Sequence, residues 1–232
     1  MTEEIEERSY NNLILFRGDS ANHVEALIEN GDIYCNNIKH FRSSELDEAR
    51  KDKWEGASLI LQSKQLTSFK VGEIELVNDL VGSVIMTNTE PNTPHISHIF
   101  CMSHIHEDYY QTSRQIIDPE FYGFGDTITV ITDVNQFFER FKKAIEQKGG
   151  YNFTYGPVSY VSNNYHGKYN PFMKPEHLSW QQEFRFAFGL PEGNEEPTIL
   201  SLGSLSDIAA TLPMENFKNE ILHDDNGPVV NF

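Results

Sequence analysis

The chain has 232 residues, of which 38% are hydrophobic and 12% aromatic, and its formal net charge is −17. That apolar content is enough for one substantial core, so a largely disordered chain is excluded. The negative charge repels phosphate, which argues against a protein that holds duplex DNA or an anionic membrane by bulk electrostatics.

The cysteines and the N-terminal residues bear on the compartment. Cys35 and Cys101 lie in apolar segments and are expected to be reduced thiols, because secreted chains of this size more often carry a disulfide framework. Residues 1–11 form an acidic tail, whereas a signal peptide begins with basic residues. No apolar run approaches the ~20 residues that a membrane-spanning helix needs. We therefore predict a cytoplasmic protein that does not enter a membrane.

The first elements in chain order are a strand, a helix and a second strand. Residues 12–17 form an apolar run that predicts a buried strand, followed by a turn. Ser20 predicts the N-cap of an amphipathic helix, and Gly31 predicts its C-terminal stop. Residues 33–35 predict the next strand. The charged residues 44–53 predict a short exposed helix or a loop.

The middle of the chain shows the short alternating segments that are typical of strands. The predicted strands are residues 59–61, 66–71, 73–77, 81–87, 96–102 and 127–132. The second and third of these flank Gly72, which predicts a hairpin.

The clearest predicted helix begins at Asp133 and ends at Gly149, with phenylalanines at helical spacing on one face. Further strands are predicted at residues 151–162, 180–188 and 198–202, and short helices after Ser206 and over residues 215–222. Together these patterns predict an α+β fold: one domain over residues 12–232 with an antiparallel-rich central β system and two or three packed helices.

The first candidate site residues are Arg17 and Gly18, at the end of the first predicted strand. A guanidinium group can bind two phosphate oxygens at once, and a glycine beside it lets the ligand approach. The alternative is a structural ion pair of Arg17 with Asp19 or another acid.

The second candidate is Gln181-Gln182-Glu183, late in the chain. On a strand, Gln181 and Glu183 point to the same side, so that an amide and a carboxylate face a ligand together. This pair suits a ribose, because the carboxylate accepts from hydroxyl groups and stabilises positive charge at an anomeric carbon. The alternative is simple alternation, in which the phenylalanines face the core while Gln181, Glu183 and Arg185 are solvated.

Ser103 and a group of histidines are weaker signals. Ser103 ends the predicted strand Phe100-Cys101-Met102-Ser103. Two imidazoles of His104-x-His106 would point one way, but no complete ligand set stands at a recognisable metal-site spacing. We therefore assign no metal and leave the role of the histidines at positions 95, 98, 104 and 106 open.

Several short motifs resemble, in order, a large uncharacterised domain family of bacteria and phages. They are Phe16-Arg17, residues 27–41, Trp54-Glu55-Gly56, Phe100-Cys101-Met102-Ser103, residues 121–141 and Trp180-x-x-Glu183-x-Arg185. The similarity runs through most of residues 12–202. The chain departs from the family's pattern at Ser43-Ser44-Glu45, where a charged stretch is inserted.

The same order of residues also resembles the ADP-ribosyltransferase superfamily in its Arg-Ser-Glu form. The resemblance implies that Arg17 contacts the phosphates of NAD and that Ser103 supports the nicotinamide site. It implies that Glu183 is the catalytic residue, with Gln181 orienting the acceptor. The chain departs from the superfamily at Cys101-Met102-Ser103, where that family has Ser-Thr-Ser.

The resemblance implies that NAD is the cofactor and that Tyr34 or Phe41 packs on its nicotinamide ring. It implies a toxin or a phage-defence effector that modifies a protein or a single-stranded nucleic acid, not duplex DNA. On this hypothesis Glu183→Gln removes activity and leaves the fold intact, provided that Glu183 is not a buried ion-pair partner.

Two other functions stay open at this point. The first is a non-enzymatic, acidic interaction module that sequesters a partner, which the net charge suits. The second is a two-histidine phosphoesterase, since His95-x-Ser97 and His177-x-Ser179 resemble the paired histidine strands of that class. The polar segments 43–53 and 163–174 are expected to border the ligand cleft and to move.

Overall fold

The structure is a computed structural model that describes residues 13–42, 51–66, 68–71, 73–76, 82–87, 96–106, 117–191 and 196–221. It shows a large antiparallel sheet together with helices in a single-domain α+β arrangement, so the predicted fold class is confirmed. The acidic tail 1–11 and most of the charged segment 43–53 lie outside the described residues.

Short strands predominate over helices along the chain. The strands are β1 (Leu13–Asp19), β2 (Asp32–Asn37), β3 (Ala57–Gln62), β4 (Phe69–Val71), β5 (Ile74–Leu76), β6 (Ser83–Thr87), β7 (His98–His106), β8 (Thr127–Ile131), β9 (Tyr151–Pro157), β10 (Ser159–Val161), β11 (Gly167–Lys168), β12 (Met173–Pro175), β13 (Glu183–Gly189), β14 (Thr198–Ser201) and β15 (Ala209–Pro213). The α-helices within the described residues are α1 (Ala21–Asn30), α2 (Val134–Gln147) and α3 (Met214–Ile221).

The chain forms two compact units, each assembled from separate stretches of sequence. The first unit comprises Met1–Ile33, Met102–Gln147 and Leu200–Phe232, and the second comprises Tyr34–Cys101 and Lys148–Ile199. The boundary between Cys101 and Met102 falls inside β7. Because no unit is a continuous segment, no linker marks this division in the sequence.

The first unit is built on the antiparallel order β7-β1-β8-β15, to which β7 contributes its second half. Phe16 of β1 packs its ring against Phe121 and Phe217, with ring centroids 5.1 and 5.5 Å apart. On α2 the predicted apolar face is buried, including Phe137 and Phe141. Helical spacing of the phenylalanines thus predicts the buried face of α2 correctly.

Helix α1 ends where the sequence predicts, at Gly31. This residue adopts the left-handed conformation, with φ of 64°, which glycine adopts without the steric cost of a side chain. A Cβ atom at this position would also lie 2.1 Å from the carbonyl oxygen of Gly203. Gly31 is therefore required by both its backbone angle and its close approach to another segment.

The second unit contains the antiparallel pairs β2–β7 and β9–β13. Around them lie three smaller groups of strands: β11–β3–β6, the parallel pair β10–β12 and the predicted hairpin β4–β5. The segment 163–174, predicted to be a moving loop, contains β11 and the beginning of β12. Two of its residues, Tyr169 and Lys174, are buried.

Four local predictions are wrong. The strand predicted at residues 180–188 begins only at Glu183, because a 3-10 helix, Glu176–Gln181, precedes it. The strand predicted at residues 151–162 divides into β9 and β10. Ser206 precedes strand β15 and not a helix, and Gly18 continues β1 instead of turning the chain. Within the described residues no helix has the length and apolar character to cross a membrane.

Candidate functional site

Five ionisable side chains of the second unit come together out of contact with solvent. They form the charged cluster: Asp52, Glu55, Lys174, Glu183 and Arg185, all buried. They come from the turn before β3, from β12 and from β13, so three separate parts of the sequence supply the cluster. A buried charge is costly unless it is paired, so the pairing of each group decides what the cluster can do.

Arg185 lies at the centre of the cluster. Its Nη1 and Nη2 donate to Oε1 and Oε2 of Glu55 at 2.8 and 2.9 Å, and its Nε donates to Oε1 of Glu183 at 2.7 Å. Nη1 also donates to the carbonyl oxygen of Pro171. This fork-shaped pairing with Glu55 is the strong bidentate form of an arginine–carboxylate bond, and it fixes the guanidinium plane beside Glu183.

Lys174 holds the other side of Glu183. Its Nζ donates to Oε2 of Glu183 and to Oε1 of Gln181, each at 2.6 Å. Lys174 is opposite Tyr160 in the parallel pair β10–β12, and the Tyr160 hydroxyl accepts from the backbone N–H of Glu183 at 2.9 Å. The short strand β12 is therefore what places the ammonium group at the carboxylate.

The two cations keep Glu183 ionised. Burial alone would raise the pKa of Glu183, but the positive charges of Arg185 and Lys174 outweigh it and hold the pKa well below its usual range. The Cys101 thiol also hydrogen-bonds this carboxylate, while burial and the nearby Glu183 charge raise the pKa of the thiol. Glu183 is therefore a fixed anion, and Cys101 is a neutral thiol beside it.

The surroundings of Asp52 shift its pKa in the direction opposite to that of Glu183. Its Oδ1 accepts from the backbone N–H of Trp54 at 2.8 Å, and its Oδ2 is buried without a hydrogen-bond partner among the described residues. Burial raises the pKa of Asp52, although the charge of Lys174 acts to lower it. The cluster thus contains three carboxyl groups and two cations, and Asp52 is the acid that lacks its own cation.

The pKa direction of Asp52 leads to a test on stability. A carboxyl group with a raised folded-state pKa stabilises the fold at low pH, and this contribution is lost as the pH rises through that pKa. Asp52→Asn removes the titrating group and keeps an acceptor for Trp54. We therefore expect the free energy of unfolding of the variant, minus that of the wild type, to increase from pH 4 to pH 8 in urea titrations.

The matched control is Asp133→Asn at the exposed start of α2. Hydrogen bonds from the backbone and the side chain of Gln136 lower the pKa of Asp133, so its contribution is present at neutral pH and lost in acid. The free energy of unfolding of Asp133→Asn, minus that of the wild type, should then decrease as the pH rises to the ordinary aspartate pKa of 3.8 and change little above it. Equal trends for Asp52→Asn and Asp133→Asn would contradict the assignment of Asp52.

The structure brings together two of the residues that the sequence singled out, Gln181 and Glu183. Both reach Lys174, although Gln181 belongs to the 3-10 helix and Gln182 has φ of 43°. The simple alternation in which Gln181, Glu183 and Arg185 are solvated is wrong, because all three are buried. Glu183 is also a buried ion-pair partner, so the condition for an unperturbed Glu183→Gln fold is not met.

Arg17, Gly18 and Ser103 lie in the first unit. Arg17 is partly exposed, and its Nη2 is 3.3 Å from Oδ2 of Asp19, the ion pair considered as the alternative role. Gly18 is close to other side chains, since an added Cβ would lie 2.8 Å from Cε of Met214. Ser103 is buried on β7 and is opposite Phe16 in the antiparallel register with β1.

The two candidate aromatic rings for nicotinamide, Tyr34 and Phe41, differ in exposure. Tyr34 lies on β2 and is 58% exposed. Phe41 is part of the 3-10 helix Ile38–Arg42 and packs against the buried side chains of Ile38, Ile99 and Ala187. Both rings belong to the second unit.

The histidines have structural or peripheral positions where they are described. His98 is buried, stacks on Phe188, and has its Nε2 2.9 Å from the carbonyl oxygen of Glu196. His177 is exposed on a 3-10 helix and not on a strand, which removes half of the paired-strand pattern of a phosphoesterase. His95 lies outside the described residues. His104 and His106 continue β7 opposite Leu15 and Leu13.

The sequence did not indicate the roles of Lys174 and Asp52. Lys174 lies in a polar segment that predicted a loop, and nothing local indicates that it is buried. Asp52 precedes Trp54-Glu55, where charges next to a large aromatic residue are a weak signal of burial. For Arg185 the signal was stronger: Ala187 lies two residues along the same strand and so on the same side, which indicates an apolar environment on that face as well.

Comparisons with protein-family models, with curated proteins and with solved structures found no match to this chain. Function is therefore inferred from the residues of this chain and from their arrangement.

Proposed function

We propose that this chain is an NAD-dependent ADP-ribosyltransferase-like protein in which Glu183 is the catalytic carboxylate. The observation that supports the proposal is the placement of Glu183 as a fixed anion between Lys174 and Arg185, with the amide of Gln181 on the same lysine. An anion held in place before the reaction is the group that a transition state with a positively charged ribose requires.

The chemistry breaks one bond and forms one. The bond between the ribose anomeric carbon and the nicotinamide nitrogen breaks, and nicotinamide leaves with the electron pair. An acceptor nucleophile attacks the anomeric carbon and loses its proton to solvent. Glu183 stabilises the positive charge that develops between these events. A carboxylate has about four acceptor positions. Among the described residues, Arg185, Lys174 and Cys101 use three of those of Glu183, so that one can accept from a ribose hydroxyl.

The remaining assignments follow the resemblance to the ADP-ribosyltransferase superfamily. That resemblance implies that Arg17 and Gly18 contact the pyrophosphate of NAD, that Ser103 supports the nicotinamide site, and that Tyr34 or Phe41 packs on the nicotinamide ring. The net charge of −17 favours a protein or a single-stranded nucleic acid as the acceptor over duplex DNA. A toxin or a phage-defence effector fits such an activity.

A second candidate function is a non-enzymatic acidic interaction module. The observation that favours it is the burial of the proposed catalytic pair, because Glu183 is 5% exposed and Gln181 is 6% exposed. A carboxylate enclosed in this way also serves to stabilise a fold. The two functions differ in whether the protein binds and consumes NAD.

The test is NAD binding followed by turnover in the purified protein. Calorimetry measures the affinity for NAD and for ADP-ribose, and radiolabelled NAD with cell lysate as acceptor pool reports transfer. Released nicotinamide reports hydrolysis in the absence of an acceptor. NAD affinity together with either product supports the transferase, whereas a wild type without NAD affinity supports the interaction module.

Arg17→Ala tests the phosphate contact. We expect the affinity for NAD to fall by about 10- to 100-fold, because a charge-assisted contact contributes about 1.5–3 kcal/mol. The turnover number should change little, since the contact lies away from the reacting carbon. Arg140→Ala is the matched control, because Arg140 is another partly exposed arginine of the first unit that pairs with an aspartate, Asp207. An equal loss of affinity in both variants would contradict the assignment.

A further inference from the structure

Three buried polar atoms in the second unit have no hydrogen-bond partner among the described residues. They are Oδ2 of Asp52, Nε1 of Trp54 and the hydroxyl oxygen of Tyr169. The three residues are 2%, 1% and 5% exposed, so bulk water does not satisfy them. Because a buried polar atom without a partner is rare and costly, three of them in one region indicate a place built to receive a polar group.

The three side chains are neighbours. The backbone N–H of Trp54 donates to the other oxygen of Asp52 at 2.8 Å. The rings of Trp54 and Tyr169 meet edge to face, with centroids 5.8 Å apart. Burial raises the pKa of the Tyr169 hydroxyl, and the negative charge of the nearby Asp52 raises it further. We call this group the orphan site, defined by Asp52, Trp54 and Tyr169.

The chemistry of the orphan site limits what it can bind. The indole N–H only donates, a carboxylate oxygen accepts, and a tyrosine hydroxyl does either. The ligand must therefore offer an acceptor to Trp54 and a donor to Asp52. An ammonium group lacks the acceptor, and a carboxylate would be repelled by Asp52. A primary carboxamide has a carbonyl oxygen and an NH₂ group on one carbon and meets both requirements.

We propose that Asp52, Trp54 and Tyr169 form a recognition site for a primary carboxamide, and that this carboxamide is the one on the nicotinamide ring of NAD. The second clause rests on the proposed function. It is supported by the position of the orphan site beside the charged cluster, since Asp52 interacts electrostatically with Lys174, Arg185 and Glu183. A carboxamide held there brings the nicotinamide close to the carboxylate that stabilises its departure.

Entry to the orphan site requires side chains to move. Trp54 and Tyr169 belong to a hydrophobic cluster with Ala57 and Ile60, against which partly buried residues pack: Ile85, Val161, Tyr165 and Met173. The site is closed in this structure, so a ligand must displace one or more of these side chains. The carboxamide of a bound ligand then replaces the missing partners of the three polar atoms.

The experiment measures the affinity of the whole protein for nicotinamide alone and for nicotinic acid. The variants are Tyr169→Phe, which removes only the unpartnered hydroxyl, and Tyr165→Phe as matched control. The hydroxyl of Tyr165 already donates to the carbonyl oxygen of Lys168 at 2.6 Å. We expect nicotinamide to bind the wild type at least 10-fold more tightly than nicotinic acid. Tyr169→Phe should weaken nicotinamide by about 5- to 10-fold, and Tyr165→Phe should not.

Melting temperature without ligand gives a second readout. Tyr169→Phe should leave it unchanged or raise it, because no hydrogen bond is lost, whereas Tyr165→Phe should lower it. A lower melting temperature for Tyr169→Phe would show that its hydroxyl has a partner, and it would overturn the site. Nicotinamide affinity that Tyr169→Phe does not change would mean that internal water satisfies these atoms, which also overturns it.

The binding measurements distinguish a failure of the carboxamide assignment of the orphan site from a failure of the proposed function. If the wild type binds NAD and ADP-ribose equally and does not bind nicotinamide, the carboxamide site is wrong and the transferase stands. If it binds nicotinamide selectively and neither NAD nor ADP-ribose, the carboxamide site stands and the transferase is wrong. If none of these ligands binds, both are wrong.

Discussion

Replacing Glu183 by glutamine is expected to lower the rate of ADP-ribosyl transfer by about 10²- to 10³-fold, the usual effect of losing one fixed electrostatic group. The amide has nearly the same shape as the carboxylate but carries no charge to stabilise the ribose cation. The affinity for NAD should change much less than the turnover number. Single-turnover transfer of labelled ADP-ribose, with NAD affinity measured separately, checks this result.

The same substitution also affects the fold. Glu183 accepts from Arg185 and from Lys174 in a buried environment, so Glu183→Gln should cost about 3–5 kcal/mol of unfolding free energy, because it leaves buried cations without this carboxylate. Activity must therefore be measured at a temperature where urea titration shows each variant to be folded. An assay without this step would confuse unfolding with a loss of chemistry.

Glu55→Gln is the matched control for Glu183→Gln. It removes the same charge from another buried partner of Arg185 and retains Glu183. We expect a comparable loss of stability and a rate within about 10-fold of the wild type, because Glu55 acts on the reaction only through Arg185. Equal rate losses in the two variants would assign a structural role to Glu183.

Replacing Arg185 by methionine is expected to lower the free energy of unfolding by about 3–5 kcal/mol, because two buried carboxylates lose their shared cation. This is a large part of the stability of an ordinary domain. Urea unfolding at neutral pH measures the effect. A loss below about 1 kcal/mol would show that the pairs of Arg185 are worth no more than those of a surface arginine.

Two comparisons separate this effect from the general loss of a charge. Arg140→Met removes an arginine whose partner, Asp207, is largely exposed, and surface pairs of this kind contribute little. Adding Glu55→Gln to Arg185→Met should then recover part of the lost stability, since one of the two buried carboxylates that lost the arginine is replaced by a neutral amide. No recovery in the double variant would contradict the pairing of Glu55 with Arg185.

Local periodicity predicted much of the fold. The spacing of Phe137, Phe138 and Phe141 predicted both the range of α2 and its buried face. Gly31 predicted the end of α1. These features depend on residues that are neighbours in sequence, so the local sequence pattern is sufficient to predict them. The strand boundary at Glu183 failed because Gln182 adopts a left-handed conformation that its residue type does not indicate.

The candidate site was only partly predictable, for a related reason. Gln181 and Glu183 are two residues apart and both reach Lys174, but Gln181 lies on the 3-10 helix and not on β13, so the strand spacing does not account for their meeting. Lys174 joins them through the pairing of β12 with β10, and Glu55 reaches Arg185 from 130 positions away. No local pattern shows which distant cation meets which carboxylate.

The separation of Glu55 from Arg185 also has a consequence for how the chain folds. Closing a loop of this length costs about 4 kcal/mol in chain entropy from the length-dependent part alone. The ion pair between Glu55 and Arg185 offsets this free energy only after both side chains are buried. The charged cluster should therefore form after the folding barrier is crossed. Interactions that form late slow unfolding more than they speed folding. The charged cluster would then chiefly lower the unfolding rate and so lengthen the lifetime of the native state.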